Sequence, residues 1–68
     1  MFGNTHPQYA LSLNNIGIAL SNTGRYEEAL KYLQGCLVIR EKILEKTHPD
    51  YAASLNNIGS VLIRIGRY

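Results

Sequence analysis

The chain has 68 residues, enough for one small domain whose core alone rarely supplies more than about 3–5 kcal/mol. Its apolar fraction is ordinary for a globular protein, which argues against disorder. Seven lysine and arginine residues against five acidic residues leave a net charge of +2 that is scattered along the chain. So small a charge predicts neither a nucleic-acid-binding face nor a segment that lies on a membrane.

Targeting signals are also missing from the pattern. The N-terminal residues show no basic region followed by an apolar stretch, so we expect no signal peptide. No apolar run approaches the roughly 18 residues of a membrane span. Cys36, the single cysteine, cannot form an intramolecular disulfide, which fits a reducing compartment. We therefore expect a soluble, cytoplasmic protein.

The first predicted helix covers about residues 6–21. Thr5 and Gln8 have the spacing of a capping box, whereas Pro7 suits a first helical position, which would make His6 the cap. The sequence leaves both caps open. An apolar stripe recurs at spacings of three and four residues, formed by Tyr9, Leu13, Ile16, Gly17 and Leu20.

The second predicted helix covers about residues 26–46, after a break in which Gly24 suits a left-handed backbone. It carries two apolar stripes, which predicts burial on two sides. The stripes consist of Tyr26, Leu30, Leu33, Leu37 and Leu44, and of Tyr32, Cys36, Ile39 and Ile43. Gly35 in mid-helix costs about 1 kcal/mol relative to alanine, so it either permits close packing or is simply tolerated.

The third predicted helix covers about residues 48–65, because residues 47–68 repeat residues 5–26 with 15 of 22 positions identical. The offset from Thr5 to Thr47 is 42 residues. Its apolar stripe copies that of the first helix and consists of Tyr51, Leu55, Ile58, Gly59 and Leu62. We predict an all-α fold of three helices, in which antiparallel helix–turn–helix repeats stack as an α-solenoid.

The repeat also predicts how the chain is organised. Residues 5–46 are expected to form one complete repeat, 47–68 the first half of the next, and 1–4 the end of a preceding one, so that the chain is a piece of a longer array. A half repeat leaves apolar surface without a neighbour. We expect self-association through a face that includes Val61, Leu62 and Ile65.

Three segments resemble the tetratricopeptide repeat: Leu13-x2-Ile16-Gly17-x2-Leu20, Ala29-x3-Leu33, and the Gly-Arg-Tyr-Glu-Glu-Ala-Leu turn at 24–30. The family repeat is usually about 34 residues. The longer repeat here, with its Leu-Asn-Asn-Ile-Gly and Thr-His-Pro-Asp-Tyr segments, is similar to the kinesin light chain type. The resemblance implies a scaffold that binds peptide segments of partner proteins in a concave groove, lined by the first helix of each repeat.

The resemblance also implies which positions line that groove. They are Leu11, Asn14, Asn15, Ile18, Ser21 and Asn22 in the first copy, and Ala53, Asn56, Asn57, Ser60, Ile63 and Arg64 in the second. An asparagine amide can both donate to and accept from a peptide backbone, and Arg64 could pair a carboxylate or simply be solvated. Asn14 and Asn56 are favoured as groove residues. Asn15 and Asn57 could equally tie helices together.

No catalytic, metal or cofactor site is predicted. His6 and His48 lie 42 positions apart without ligands at zinc spacing, which favours a role near the helix caps. Cys36 lies on an apolar stripe, which indicates a buried, inert thiol. We expect a protein that is not an enzyme, needs no cofactor and binds proteins, peptides or copies of itself, but not nucleic acid or membranes.

Overall fold

The computed structural model describes residues 6–66, which form three α-helices joined by two short connections. Helix α1 runs Pro7–Asn22, α2 runs Tyr26–Ile43 and α3 runs Pro49–Ile65. Helix α2 packs against both α1 and α3, whereas α1 and α3 meet at few positions. The predicted all-α fold of helix–turn–helix units is confirmed. The predicted remnant of a preceding repeat at 1–4 lies outside the described residues.

The helix caps, which the sequence left open, are the histidines. His6 Nδ1 accepts a hydrogen bond from the backbone N–H of Gln8, and His48 Nδ1 accepts one from that of Asp50, both at 3.0 Å. A proline follows each cap at the first helical position, where no backbone donor is needed. The two histidines therefore serve the same purpose at equivalent points of the repeat.

The connection between α1 and α2 turns at a glycine, as predicted. Gly24 has φ of 84°, a left-handed conformation that costs glycine little because it has no Cβ. Thr23 supports the turn, since its Oγ1 donates to the Leu20 carbonyl at 2.9 Å. The turn is short enough to bring α2 back along α1.

Helix α2 ends at Ile43, three residues before the predicted end at 46. Leu44 adopts an extended backbone with ψ of 151°, and the His48 N–H then donates to the Glu45 carbonyl at 2.9 Å. Pro49 disfavours helical backbone at His48, the residue before it. Helix α2 therefore cannot continue directly into α3, and the chain turns between them. The extra length of the 42-residue repeat is thus shared between the helix and the connection.

Helix α2 is buried on two sides, against α1 and against α3, as its two stripes predicted, and its core residues fall into two clusters along its length. One cluster consists of Ala29, Leu30, Leu33 and Val61, with Leu20, Tyr26, Ile58, Leu62 and Ile65 packed against it. The other consists of Ala10, Cys36 and Ile39, with Leu13 beside it. Gly35 permits close packing, because a Cβ there would lie 3.3 Å from Leu13 Cδ1.

Some predicted core positions are instead exposed. The stripe predictions are wrong for Tyr9, Ile16, Tyr32, Ile43 and Leu55, which are between 38% and 47% exposed. These side chains extend past the edges of the contacts that α2 makes with its two neighbours. The periodicity identified the apolar faces correctly but could not show how far each face is covered.

Candidate binding face

An asparagine pair joins the first helices of the two repeat copies. Asn57 Nδ2 in α3 donates to Asn14 Oδ1 in α1 at 2.8 Å. Both side chains are half-buried. This hydrogen bond places one face of α1 beside the corresponding face of α3, although the two helices otherwise share few contacts.

The side chains at helical spacing from this pair on each helix are exposed. We call this set the asparagine face. It comprises Leu11, Asn15, Ile18 and Asn22 of α1 and Ala53, Asn56, Ser60, Ile63 and Arg64 of α3. Its three large apolar members are well exposed, with Ile63 at 64%, Leu11 at 45% and Ile18 at 38%.

The structure changes the roles expected of three polar residues. Asn57 ties the two helices together, which is one of the two roles its sequence position allowed. Asn14 was expected to face a ligand, but its side-chain oxygen is already engaged by Asn57. Ser21 is only 9% exposed, so it does not line an open groove. The free amides of the asparagine face are those of Asn15, Asn22 and Asn56.

The chemistry of the asparagine face suits a peptide. Exposed amides can pair with a main chain of any sequence, while the apolar side chains between them gain free energy when they are covered. Arg64 lies at one end of the face and is exposed. No carboxylate belongs to the set, so its only formal charge is positive.

The structure does not support the predicted self-association face of Val61, Leu62 and Ile65. Val61 is 2% exposed and belongs to the cluster around Leu33, while Leu62 and Ile65 are packed against the same cluster. These residues face α2 because α3 uses them to close the first core cluster. The uncovered apolar side chains of the described chain lie elsewhere.

Equivalent positions in the two copies show where the uncovered surface is. Ile16 is 42% exposed, whereas Ile58, its repeat equivalent, packs against the core cluster on α2. A Cβ on Gly17 would lie 2.6 Å from Leu33 Cδ2, whereas a Cβ on Gly59 would meet nothing within 4 Å. Helix α3 contacts α2 through the surface that contains Ile58, and the equivalent surface of α1, which contains Ile16, is uncovered. Helix α1 contacts α2 through the surface that contains Gly17, and the equivalent surface of α3, which contains Gly59, is uncovered.

Arg40 is a buried residue that the sequence analysis missed. Its side chain is 7% exposed, and its Nη1 donates to Ser54 Oγ at 2.8 Å and to the Asp50 carbonyl at 3.0 Å. Ser54 Oγ also lies 3.6 Å from Cys36 Sγ. A signal existed, since Arg40 continues the Cys36 and Ile43 stripe at spacings of four and three residues.

Cys36 is a free thiol with no exposed surface, as its position on an apolar stripe predicted.

Within residues 6–66, no three histidine, cysteine, aspartate or glutamate side chains come together in a way that could hold a metal ion. Across the same range, none of the helices combines the length and apolar character that crossing a membrane requires.

Helix pairs that turn back on themselves and repeat along the chain define an α-solenoid repeat protein. The tetratricopeptide repeat family matches residues 8–68, which is nearly the whole chain, and the chain belongs to this family. Repeats of this family generally act as non-catalytic scaffolds for protein–protein interaction. A comparison with curated proteins found none that matches.

Proposed function

We propose that the asparagine face binds an extended peptide segment of a partner protein. The observation that carries the proposal is the Asn57–Asn14 hydrogen bond, because it sets two rows of exposed amides and apolar side chains side by side. A ligand that lies across both helices gains from a surface that is already arranged, since little ordering remains to oppose binding.

The expected ligand follows from the residues of the face. Asn15 and Asn56 flank the asparagine pair and are exposed, so they can hold the peptide backbone. Leu11, Ile18 and Ile63 offer apolar contacts on either side. Arg64 favours an acidic residue at the end of the ligand that reaches it.

The test uses peptides selected from a random displayed library against the whole chain. Replacing Asn15 and Asn56 together by alanine removes exposed amides without touching the core. We expect affinity for the selected peptide to fall by at least about tenfold, since two hydrogen bonds of about 1 kcal/mol each are lost. Isothermal titration calorimetry measures the change.

The matched control replaces Lys31 and Gln34 by alanine. Both are exposed polar residues on α2, outside the asparagine face, and this variant is expected to bind as the parent does. If both double variants bind the peptide equally well, the asparagine face is not the site.

A second candidate function is self-assembly, in which another copy covers the uncovered sides of α1 and α3. It is favoured by the open space over Gly59 and by Leu55, which is 47% exposed on the same helix. Light-scattering mass across a concentration series would show more than one chain per particle. Leu55→Lys should then restore the mass of a single chain, because a charge cannot be buried in that contact without a partner. A single-chain mass at all concentrations contradicts this candidate.

Two finer assignments are also proposals. The 42-residue repeat with its Thr-His-Pro-Asp-Tyr segment supports the kinesin light chain type of repeat. The single unpaired cysteine supports a cytoplasmic location.

A further inference from the structure

A cavity of about 200 Å³ lies where the first turns of α1 and α3 meet the last turn of α2. Its apolar wall includes Leu11, Ile43 and Leu44, and its polar wall includes Gln8, Arg40 and Asp50. Leu11 is the only member it shares with the asparagine face. The cavity is thus distinct from the asparagine face and lies at one end of the helices.

Arg40 is one of the residues that line this cavity, and its charge has no counter-ion among residues 6–66. Arg40 is 7% exposed, and both of its described hydrogen bonds, to Ser54 Oγ and the Asp50 carbonyl, use Nη1 and neutral acceptors. Buried charges in proteins are usually paired, because removing an ion from water costs several kcal/mol. Among residues 6–66, no carboxylate forms an ion pair with Arg40.

Arg40 keeps donors that can face the cavity. A guanidinium carries five N–H donors, and two of them are in the described hydrogen bonds. No buried side-chain nitrogen or oxygen in the described part of the chain lacks a hydrogen-bond partner. The remaining nitrogens of Arg40 therefore keep contact with solvent, and Arg40 is one of the residues that line the cavity.

Among residues 6–66, Asp50 is the one acidic residue that lines the cavity, and its negative charge acts against binding of an anion. Its side chain is exposed and stands in the first turn of α3, where the helix dipole favours a negative charge. Its backbone carbonyl, not its carboxylate, is what Arg40 contacts. Asp50 thus weakens the attraction of the cavity for an anion without neutralising Arg40.

We propose that this cavity binds the carboxylate of a glutamate or aspartate side chain in a partner protein. Arginine pairs carboxylates with two parallel hydrogen bonds, and the apolar wall matches the methylene stem of such a side chain. A more highly charged group such as a phosphate fits less well, because Asp50 lies in the same wall. The proposal does not depend on peptide binding at the asparagine face.

The probe is a pair of capped tripeptides, acetyl-Leu-Glu-Leu-amide and acetyl-Leu-Gln-Leu-amide, titrated into the labelled chain. Proton–nitrogen correlation spectra follow the backbone amides and the Arg40 Nε–H. The glutamate peptide should shift the Arg40 Nε–H and the amides of Leu11 and Leu44, and salt should weaken its binding. The glutamine peptide should bind at least about tenfold more weakly, since it lacks the charge.

Two variants test the proposal and leave the buried Arg40 in place. Asp50→Asn removes the opposing charge and should tighten binding of the glutamate peptide severalfold. Glu41→Gln removes an exposed carboxylate from α2, outside the cavity wall, and serves as the matched control with unchanged affinity. The Asn15→Ala, Asn56→Ala double variant should also leave this binding unchanged.

The proposal is overturned if the two peptides shift the same resonances equally, if Arg40 Nε–H does not move, or if Asp50→Asn changes binding no more than Glu41→Gln does. A loss of binding in the Asn15→Ala, Asn56→Ala variant would also overturn it, because the peptide would then be bound at the asparagine face.

Discussion

Replacing Leu33 by alanine should unfold a large fraction of the chain at room temperature. Leu33 is 1% exposed and sits at the centre of the first core cluster, beside Leu30 and Val61 and directly over Gly17. Truncating a buried leucine to alanine costs about 2–5 kcal/mol. A core of this size rarely supplies more than about 3–5 kcal/mol, so the loss is comparable to the whole stability.

Far-UV circular dichroism during heating measures this effect. The Leu33→Ala variant should show a lower helical signal before heating and a broad transition, if any remains. Val38→Ala is the control, because Val38 lies on the same helix but is 49% exposed; its stability should change by no more than about 0.5 kcal/mol. Equal melting curves for the two variants would mean that the core is not organised around Leu33.

Alanine at Gly17 and at Gly59 should have opposite effects on the free energy of unfolding. The two glycines occupy the same repeat position. A Cβ on Gly17 would lie 2.6 Å from Leu33 Cδ2 and 3.3 Å from the Ala29 carbonyl oxygen, and overpacking of this kind costs about 1–3 kcal/mol. A Cβ on Gly59 meets nothing within 4 Å, so the better helix propensity of alanine should stabilise the chain by up to about 1 kcal/mol.

Urea unfolding of the two single variants measures both changes, and each variant is the control for the other. A third variant, Gly17→Ala with Leu33→Val, tests the cause. It should recover part of the Gly17→Ala loss relative to the sum of the two single changes, because the shorter valine withdraws from the added methyl group. If Gly17→Ala and Gly59→Ala shift stability in the same direction by the same amount, the close approach of α1 and α2 at Gly17 is wrong.

Much of the fold could be predicted because it depends on patterns that are visible in the sequence. The apolar stripes and the turn at Gly24 depend on residues close together in the chain, and the 42-residue repeat is found by comparing two segments of the sequence directly. The end of α2 was harder to predict, because the turn at Glu45–His48 depends on where α3 packs as well as on Pro49. Identical motifs cannot show burial either: Ile16 and Ile58 differ because only Ile58 has α2 against it.

The candidate sites were harder to predict than the helices. The Asn14–Asn57 hydrogen bond joins residues 43 positions apart, and sequence spacing alone could not select Asn57 rather than Asn56 as the donor. Arg40 could not be placed by pattern, because burial of a guanidinium depends on Ser54 and the Asp50 carbonyl arriving from another helix. In both cases the deciding contact is tertiary.

Mapping a bound peptide on the labelled chain tests the central proposal most directly. In a titration with a library-selected peptide, the backbone amides of Asn15 and Ile18 in α1 and of Asn56 and Ser60 in α3 should shift together with one affinity. That result would place the ligand across both helices at the asparagine face. Shifts confined to Tyr9, Ile16 or α2, with the asparagine face unchanged, would contradict the account.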